Sequence, residues 1–83
     1  MVGWRVNDIV AYDTMQERLT ALNARLLQQL RRLPDSHDQQ QLRDEMSLWR
    51  EGYLAVDGHD RDRILAFTAQ LEQRLTELTP GEQ

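Results

Sequence analysis

Histidine and aspartate form the two clusters of this chain best suited to hold a metal ion. Asp35 and Asp38 flank His37, and three further aspartates surround His59. These three are Asp57, Asp60 and Asp62. Imidazole nitrogens and carboxylate oxygens bind divalent metals, but the clusters fall at opposite ends of the predicted second helix, about 30 Å apart. Because aspartates in turns serve as helix caps, we predict no metal and no cofactor.

Catalytic side chains are not grouped at a usable spacing. Asp44 and Glu45 are adjacent and therefore point about 100° apart on a helix, while Glu72 and Glu77 lie five residues apart. No serine or threonine has a histidine and an acid at a readable spacing, and the chain contains no cysteine. We therefore predict that the protein is not an enzyme.

Three arginines could form a line that contacts phosphates. Arg18, Arg25 and Arg32 are seven residues apart, so they share one side of a helix. Residues 1–33 carry five arginines and three carboxylates (+2), whereas residues 34–83 carry five arginines and eleven carboxylates (−6). The net charge of −4 disfavours nucleic-acid binding, which we rank last. The uneven charge is either a solvated surface with chance asymmetry or a field that steers the chain towards a complementary protein.

Large aromatic residues stand out in the predicted second helix. Trp49 and Tyr53 lie four residues apart and are either core residues or, together with Arg50, a recognition hot spot. Gly52 between them would let a neighbouring segment approach closely, at a cost of about 1 kcal/mol in helix propensity. Both interpretations stay open on sequence grounds.

Helical periodicity and turn residues divide the chain into three helices. We expect them over about 8–33, 37–56 and 61–78, with a flexible tail at 79–83. Short connections favour antiparallel neighbours. The predicted fold is an all-α, small up-down-up three-helix bundle with a long first helix, which we expect to self-associate.

Capping residues set the expected helix ends. Asn7 should cap the first helix and Pro34 should end it. Ser36 and Gln39 have the form of a capping box. Gly58 is suited to a left-handed residue after the second helix. Asp60 should cap the third helix in the same manner as Asn7 caps the first.

A leucine stripe runs along the first helix. Its members recur at alternating steps of three and four residues, with Leu30 beside the seam. The stripe comprises Tyr12, Met15, Leu19, Leu22, Leu26 and Leu33. The same spacing fits a coiled coil between two copies, in which Gln29 would mark the register, or packing inside a monomeric bundle, in which Gln29 reaches solvent.

Apolar residues exceed what this small bundle can cover. A first helix of about 26 residues outreaches two of about 20 by roughly 9 Å. Other apolar residues, such as Leu65, point away from the seams. The predicted partner-binding residues are Trp4, Ile9, Val10, Tyr12, Leu26, Leu27, Leu30, Leu48, Trp49, Arg50 and Leu54.

Composition agrees with one small domain that binds protein. The chain has 83 residues, 40% hydrophobic and 29% charged, without an apolar run long enough to span a membrane. Its start lacks the pattern of a signal peptide, which predicts a cytoplasmic location, and arginine-only basic residues indicate a bacterial origin. We expect a non-enzymatic interaction module, homodimeric or a small subunit of an assembly. The alternatives are a regulator or inhibitor of one target (immunity protein, secretion chaperone or phage-encoded antagonist) and a weak nucleic-acid binder.

Overall fold

Three helices and short connections make up the described part of the chain. A computed structural model describes the backbone of residues 6–78 and the side chains of residues 9–78. The helices are α1 (Val6–Arg32), α2 (Ser36–Ala55) and α3 (Arg61–Glu77), and α1 packs against both others. The predicted all-α three-helix bundle with a long first helix is confirmed. The tail predicted at 79–83 lies outside the described residues.

The starts of α1 and α2 differ from the sequence prediction. α1 begins at Val6, so Asn7 lies in its first turn and is not its cap. α2 begins one residue early because Asp35 has the extended backbone of a cap and its carboxylate accepts a hydrogen bond from the His37 N–H at 2.9 Å. Gln39 completes no capping box, since its amide donates to the Leu33 carbonyl at 2.6 Å.

The connection between α2 and α3 also corrects one expectation. α2 ends at Ala55, and Val56 is an extended, buried residue whose N–H donates to the Tyr53 carbonyl at 3.1 Å. The backbone of Gly58 is not left-handed, because the extended Val56 already turns the chain out of the helix. Asp60 caps α3 as predicted, accepting from the backbone N–H of Arg63 at 3.1 Å.

The tightly packed core lies between α1 and α3. Its five fully buried side chains all come from these two helices: Met15, Leu22, Leu26, Ile64 and Leu71. Full burial of such a side chain is worth about 1.5–3 kcal/mol relative to leaving it exposed. α2 contributes no buried residue. Its apolar stripe is only half-buried against the core and comprises Leu42, Met46, Trp49 and Tyr53.

The seam of α1 is therefore used within the subunit. Met15, Leu19 and Leu22 are covered by the other two helices, so a coiled coil through the same seam would have to displace them. Gln29 is exposed, as the monomeric interpretation requires. Within the folded subunit this seam is therefore occupied by contacts with α2 and α3.

The bundle is elongated, and α1 extends past its neighbours. The radius of gyration is 14.9 Å, against about 12 Å for a compact 83-residue domain, and the principal extents are 55 × 30 × 15 Å. A Cβ added to Gly58 would lie 3.8 Å from the Tyr12 ring, so the α2–α3 connection passes α1 at that level. Ile9 and Val10 lie beyond it and are exposed. In the described residues no helix is both long and apolar enough to cross a bilayer.

Gly52 provides a test of how α2 packs. A Cβ at this position would lie 2.9 Å from Cε1 of Phe67, whose ring packs edge-to-face on Trp49 at 5.8 Å. We expect Gly52→Ala to lower the free energy of unfolding by about 1 kcal/mol, because displacement of the ring outweighs the gain in helix propensity. Denaturant unfolding measures the change.

Two further variants make this test specific. Ser47→Ala, at an exposed position of α2, should raise stability by a few tenths of a kcal/mol through propensity alone. Phe67→Leu should lower the free energy of unfolding less in the Gly52→Ala background than in the native chain. The smaller side chain makes room for the methyl group added at position 52. A stabilisation by Gly52→Ala equal to that of Ser47→Ala would contradict the close contact.

Candidate interaction surface

Large apolar side chains remain exposed on all three helices. Leu48 and Leu54 on α2 are 68% and 67% exposed, and Val10 on α1 is 54% exposed. The other members of this set are Ile9 at 49%, Leu65 at 47% and Leu27 at 40%. The exposure predicted for the apolar residues that point away from the helix seams is confirmed.

Other predicted partner-binding residues lie inside the bundle. Leu26 is fully buried in the core, so it is withdrawn from the candidate surface. Tyr12 packs against the core and lies 6.0 Å from the Tyr53 ring, and Leu30 is half-buried. Trp4 lies outside the described residues. The surface is therefore smaller than the sequence predicts.

Trp49 and Arg50 differ in which interpretation they support, core residue or recognition surface. Trp49 is half-buried against the core, and its ring packs on Phe67 of α3. Arg50, which points about 100° away from Trp49 around α2, is exposed. The tryptophan therefore connects α2 to α3 within the subunit, whereas the arginine lies on a surface that a partner could reach.

Contacts between helices show which exposed residues share a face. Tyr12 marks the side of α1 that meets α2, and Arg18, which donates to Glu72 at 3.0 Å, marks the side that meets α3. On α2, Glu45 and Trp49 mark the side that meets α3. Successive residues of a helix point about 100° apart. The contacts above therefore also identify the residues of α1 and α2 that point away from α3.

We call this surface the outer α1/α2 face. All of its members are exposed. On α1 they are Ile9, Asp13, Gln16, Glu17, Thr20, Leu27 and Arg31, and on α2 they are Gln40, Arg43, Ser47, Arg50 and Leu54. A shallow depression lies in its middle, beside Gln16, Glu17 and Thr20. Val10, Leu48 and Leu65 point elsewhere.

An ionic network holds the other side of α2 to α3. Arg74 donates to both carboxylate oxygens of Glu45, from Nε at 2.6 Å and from Nη2 at 2.9 Å. Trp49 Nε1 donates to the same carboxylate at 2.9 Å, and Arg74 also pairs with Glu77 at 3.0 Å. The hydrogen bond from Arg74 holds the pKa of Glu45 below its ordinary value, although burial opposes this shift. Glu45 and Arg74 therefore serve structure, and this pair was not visible in the sequence pattern.

Tyr12 and Tyr53 form a second polar contact, at the end of the bundle where α2 meets α1. Tyr12 and partial burial together raise the pKa of Tyr53 to about 12. The neutral phenol is therefore the favoured form of Tyr53 at every pH near neutrality. The contact with Tyr12 fixes this end of α2 against α1.

One of the three arginines in the predicted line is paired with carboxylates. Arg18 pairs with Glu72 at 3.0 Å and lies 4.0 Å from Glu17, so its charge is offset by two carboxylates. Arg25 and Arg32 are exposed. Two cations about two helical turns apart provide little of the charge that a phosphate backbone requires.

The histidine clusters lie in helix caps and turns. Asp35 and Asp57 accept backbone hydrogen bonds from His37 and His59, each at 2.9 Å, and Asp60 caps α3. Across residues 6–78 no group of three or more potential ligands converges on a point where a metal could bind. These aspartates have a structural explanation.

One polar residue of α1 was not singled out by the sequence pattern. Asn23 has its side-chain oxygen buried without a hydrogen-bond partner. An unpaired buried acceptor costs about 1–3 kcal/mol. The position of Asn23 beside the leucine stripe was evident from the sequence, but the burial of its oxygen was not.

Comparison with protein-family models, with curated proteins and with solved structures gives no significant match to this chain. The interaction surface is therefore interpreted from its own geometry and chemistry.

The Glu45 network predicts a pH dependence of stability. Because the pKa of Glu45 is lower in the folded chain than its ordinary value of 4.5, its contribution is fully present above that pH and is lost as the pH falls through the folded pKa. We expect Glu45→Gln to lower the free energy of unfolding by about 1 kcal/mol at pH 7 and to flatten its decline below pH ~4.5. Glu51→Gln, an exposed control on the same helix, should leave the profile unchanged. Identical acid profiles for native and Glu45→Gln chains would contradict the assignment.

The unpaired oxygen of Asn23 predicts a stabilising substitution. Asn23→Ala removes the buried acceptor and should raise the free energy of unfolding by about 1 kcal/mol beyond the propensity gain. Gln28→Ala, at an exposed position of α1, removes an amide side chain without a buried acceptor and should raise stability by no more than a few tenths of a kcal/mol. A loss of stability in Asn23→Ala would show that the oxygen has a hydrogen-bond partner in solution.

Proposed function

We propose that this chain is a non-enzymatic protein-interaction module that binds another polypeptide through apolar side chains on the outer faces of its helices. The observation that supports the proposal most directly is the exposure of Leu48 and Leu54 on α2, a helix with no buried residue. Scattered apolar residues are normal on a protein surface. Among residues 9–78, six large apolar side chains are exposed and five are fully buried, which is a high ratio of exposed to buried groups.

The energetics of a small domain support the same proposal. A single core in a chain of roughly this size seldom supplies more than about 3–5 kcal/mol. This core rests on α1 and α3, and α2 adds half-buried contacts and the Glu45 network. Burial of the exposed leucines against a partner adds stability by mass action.

Direct nucleic-acid binding is less well supported. The pairing of Arg18 with Glu72 removes one cation from the line of three, and the chain carries a net charge of −4. A regulator or inhibitor of one target protein is the alternative within the protein-binding class. It would use the same exposed leucines, so the identity of the bound protein separates it from a subunit of an assembly.

Protein capture with matched variants tests the proposal. We expect the tagged chain to retain a polypeptide from an extract of its native cell, and Leu48→Asp or Leu54→Asp to reduce its recovery at least tenfold. Gln73→Asp adds the same charge at an exposed position of α3, outside the outer α1/α2 face, without removing an apolar group, and should retain the partner. Nuclease treatment should leave recovery unchanged.

Two outcomes would contradict this proposal. One is that no polypeptide, including a second copy, is retained even from an extract concentrated about 100-fold. The other is that retention requires nucleic acid and is lost in Arg25→Glu or Arg32→Glu while both leucine variants bind normally. Circular dichroism of each variant tests whether the helical fold is intact.

A further inference from the structure

We infer that the partner is an acidic, amphipathic α-helix of another protein, which docks along the outer α1/α2 face. The inference rests on the proposed protein-interaction function and specifies the chemistry of the partner. Two observations support it: the positions of the apolar side chains on the face, and the unpaired arginines that lie between them.

Apolar side chains lie at both ends of the face. α1 and α2 run in opposite directions, because Tyr12 near the start of α1 contacts Tyr53 near the end of α2. Ile9 lies about one helical turn before Tyr12 on α1. Leu54 follows Tyr53 on α2, so these two exposed apolar side chains share one end of the face. Leu27 lies 15 residues after Tyr12, about 22 Å towards the other end, a distance that a helix of about four turns spans.

Unpaired arginines lie between these apolar ends. Arg43 and Arg50 are exposed on α2 and are seven residues, and therefore about 10 Å, apart. No residue three or four positions away from either arginine is a carboxylate. Within residues 9–78 neither guanidinium forms an ion pair, and the same holds for Arg31, about one turn beyond Leu27 on α1.

Arginines at the contacts between helices are paired, in contrast. Arg18 pairs with Glu72, and Arg74 pairs with Glu45. The outer α1/α2 face holds three arginines and two carboxylates, a charge of +1, on a chain whose net charge is −4. A cationic face on an acidic chain favours a negatively charged partner, because complementary potentials steer association and disfavour other partners.

These positions define the chemistry of the partner helix. Apolar side chains near its two ends would contact Leu27 at one end of the face and Ile9 with Leu54 at the other. Carboxylates seven positions apart on the partner would meet Arg43 and Arg50, because the rise of an α-helix gives them the same separation of about 10 Å. Guanidinium groups bind carboxylates through two parallel hydrogen bonds, so each pair would help to fix the register. A two-fold contact of this face with a second copy would instead bring the same excess of arginine from both sides.

Fluorescence anisotropy with two labelled peptides tests the inference. Both are helical peptides of about 18 residues with one stripe of leucines, long enough for the span of about 22 Å. The acidic probe carries glutamate on both flanks of the stripe, and the basic probe carries lysine at the same positions. We expect the full chain to bind the acidic probe at least tenfold more tightly than the basic probe, and this binding to weaken as NaCl rises from about 50 to 500 mM.

Matched variants test whether the acidic probe binds at the outer α1/α2 face. Arg43→Glu combined with Arg50→Glu should lower the affinity for the acidic probe at least tenfold and raise the affinity for the basic probe. Leu54→Asp should also weaken binding of the acidic probe at least tenfold. Arg25→Glu reverses an exposed arginine on another side of α1, and Leu48→Asp changes an equally exposed leucine on another side of α2. Both controls should bind the acidic probe like the native chain.

The results that overturn the inference differ from those that overturn the proposed function. Equal affinity for the two probes, no binding of either, or unchanged binding of the acidic probe by the double arginine variant would exclude an acidic helix on this face. Protein capture through Leu48 or Leu54 would then still support the interaction module. A native chain that doubles its mass of 9.8 kDa in sedimentation, and loses this pairing in Leu54→Asp, would assign the face to a second copy and overturn the inference.

Discussion

The packing of α1 against α3 is the contact on which the rest of the structure depends. In the part of the chain whose side chains are described, all five fully buried large side chains come from these two helices. A pair of helices can bury only the stripes that face each other, so the remaining sides of the α1 seam need a cover. α2 supplies that cover with half-buried side chains and without a buried residue of its own. Its outer side is therefore left to solvent or to a partner.

Attachment of α2 relies on contacts of a different kind. Trp49 packs on Phe67, Tyr53 packs on Tyr12, and Arg74 holds Glu45 with two hydrogen bonds. Partly exposed ion pairs are weaker than apolar burial, and their strength depends on geometry. We therefore expect α2 to open locally at a lower free energy than the α1/α3 pair. Contacts on its outer side would offset that difference.

Much of the fold was predictable because helix periodicity is a local property. The existence and order of the helices, the stop before Pro34 and the exposure of Leu48 and Leu54 follow from spacing and known helix geometry. Asp35 and Ser36 are both good caps, and only the backbone angles decide between them. Pairing of Glu45 with Arg74 spans 29 residues and is not encoded in a short pattern.

The lack of buried residues in α2 has an evolutionary consequence. Substitutions in a fully packed helix must conserve volume, whereas a half-buried helix accepts many side chains of different size and charge. Sequence change can accumulate in α2 while α1 and α3 preserve the scaffold. Homologues of this chain would then share the stripes of α1 and α3 and diverge in α2, so that one scaffold could acquire new binding preferences without a new fold.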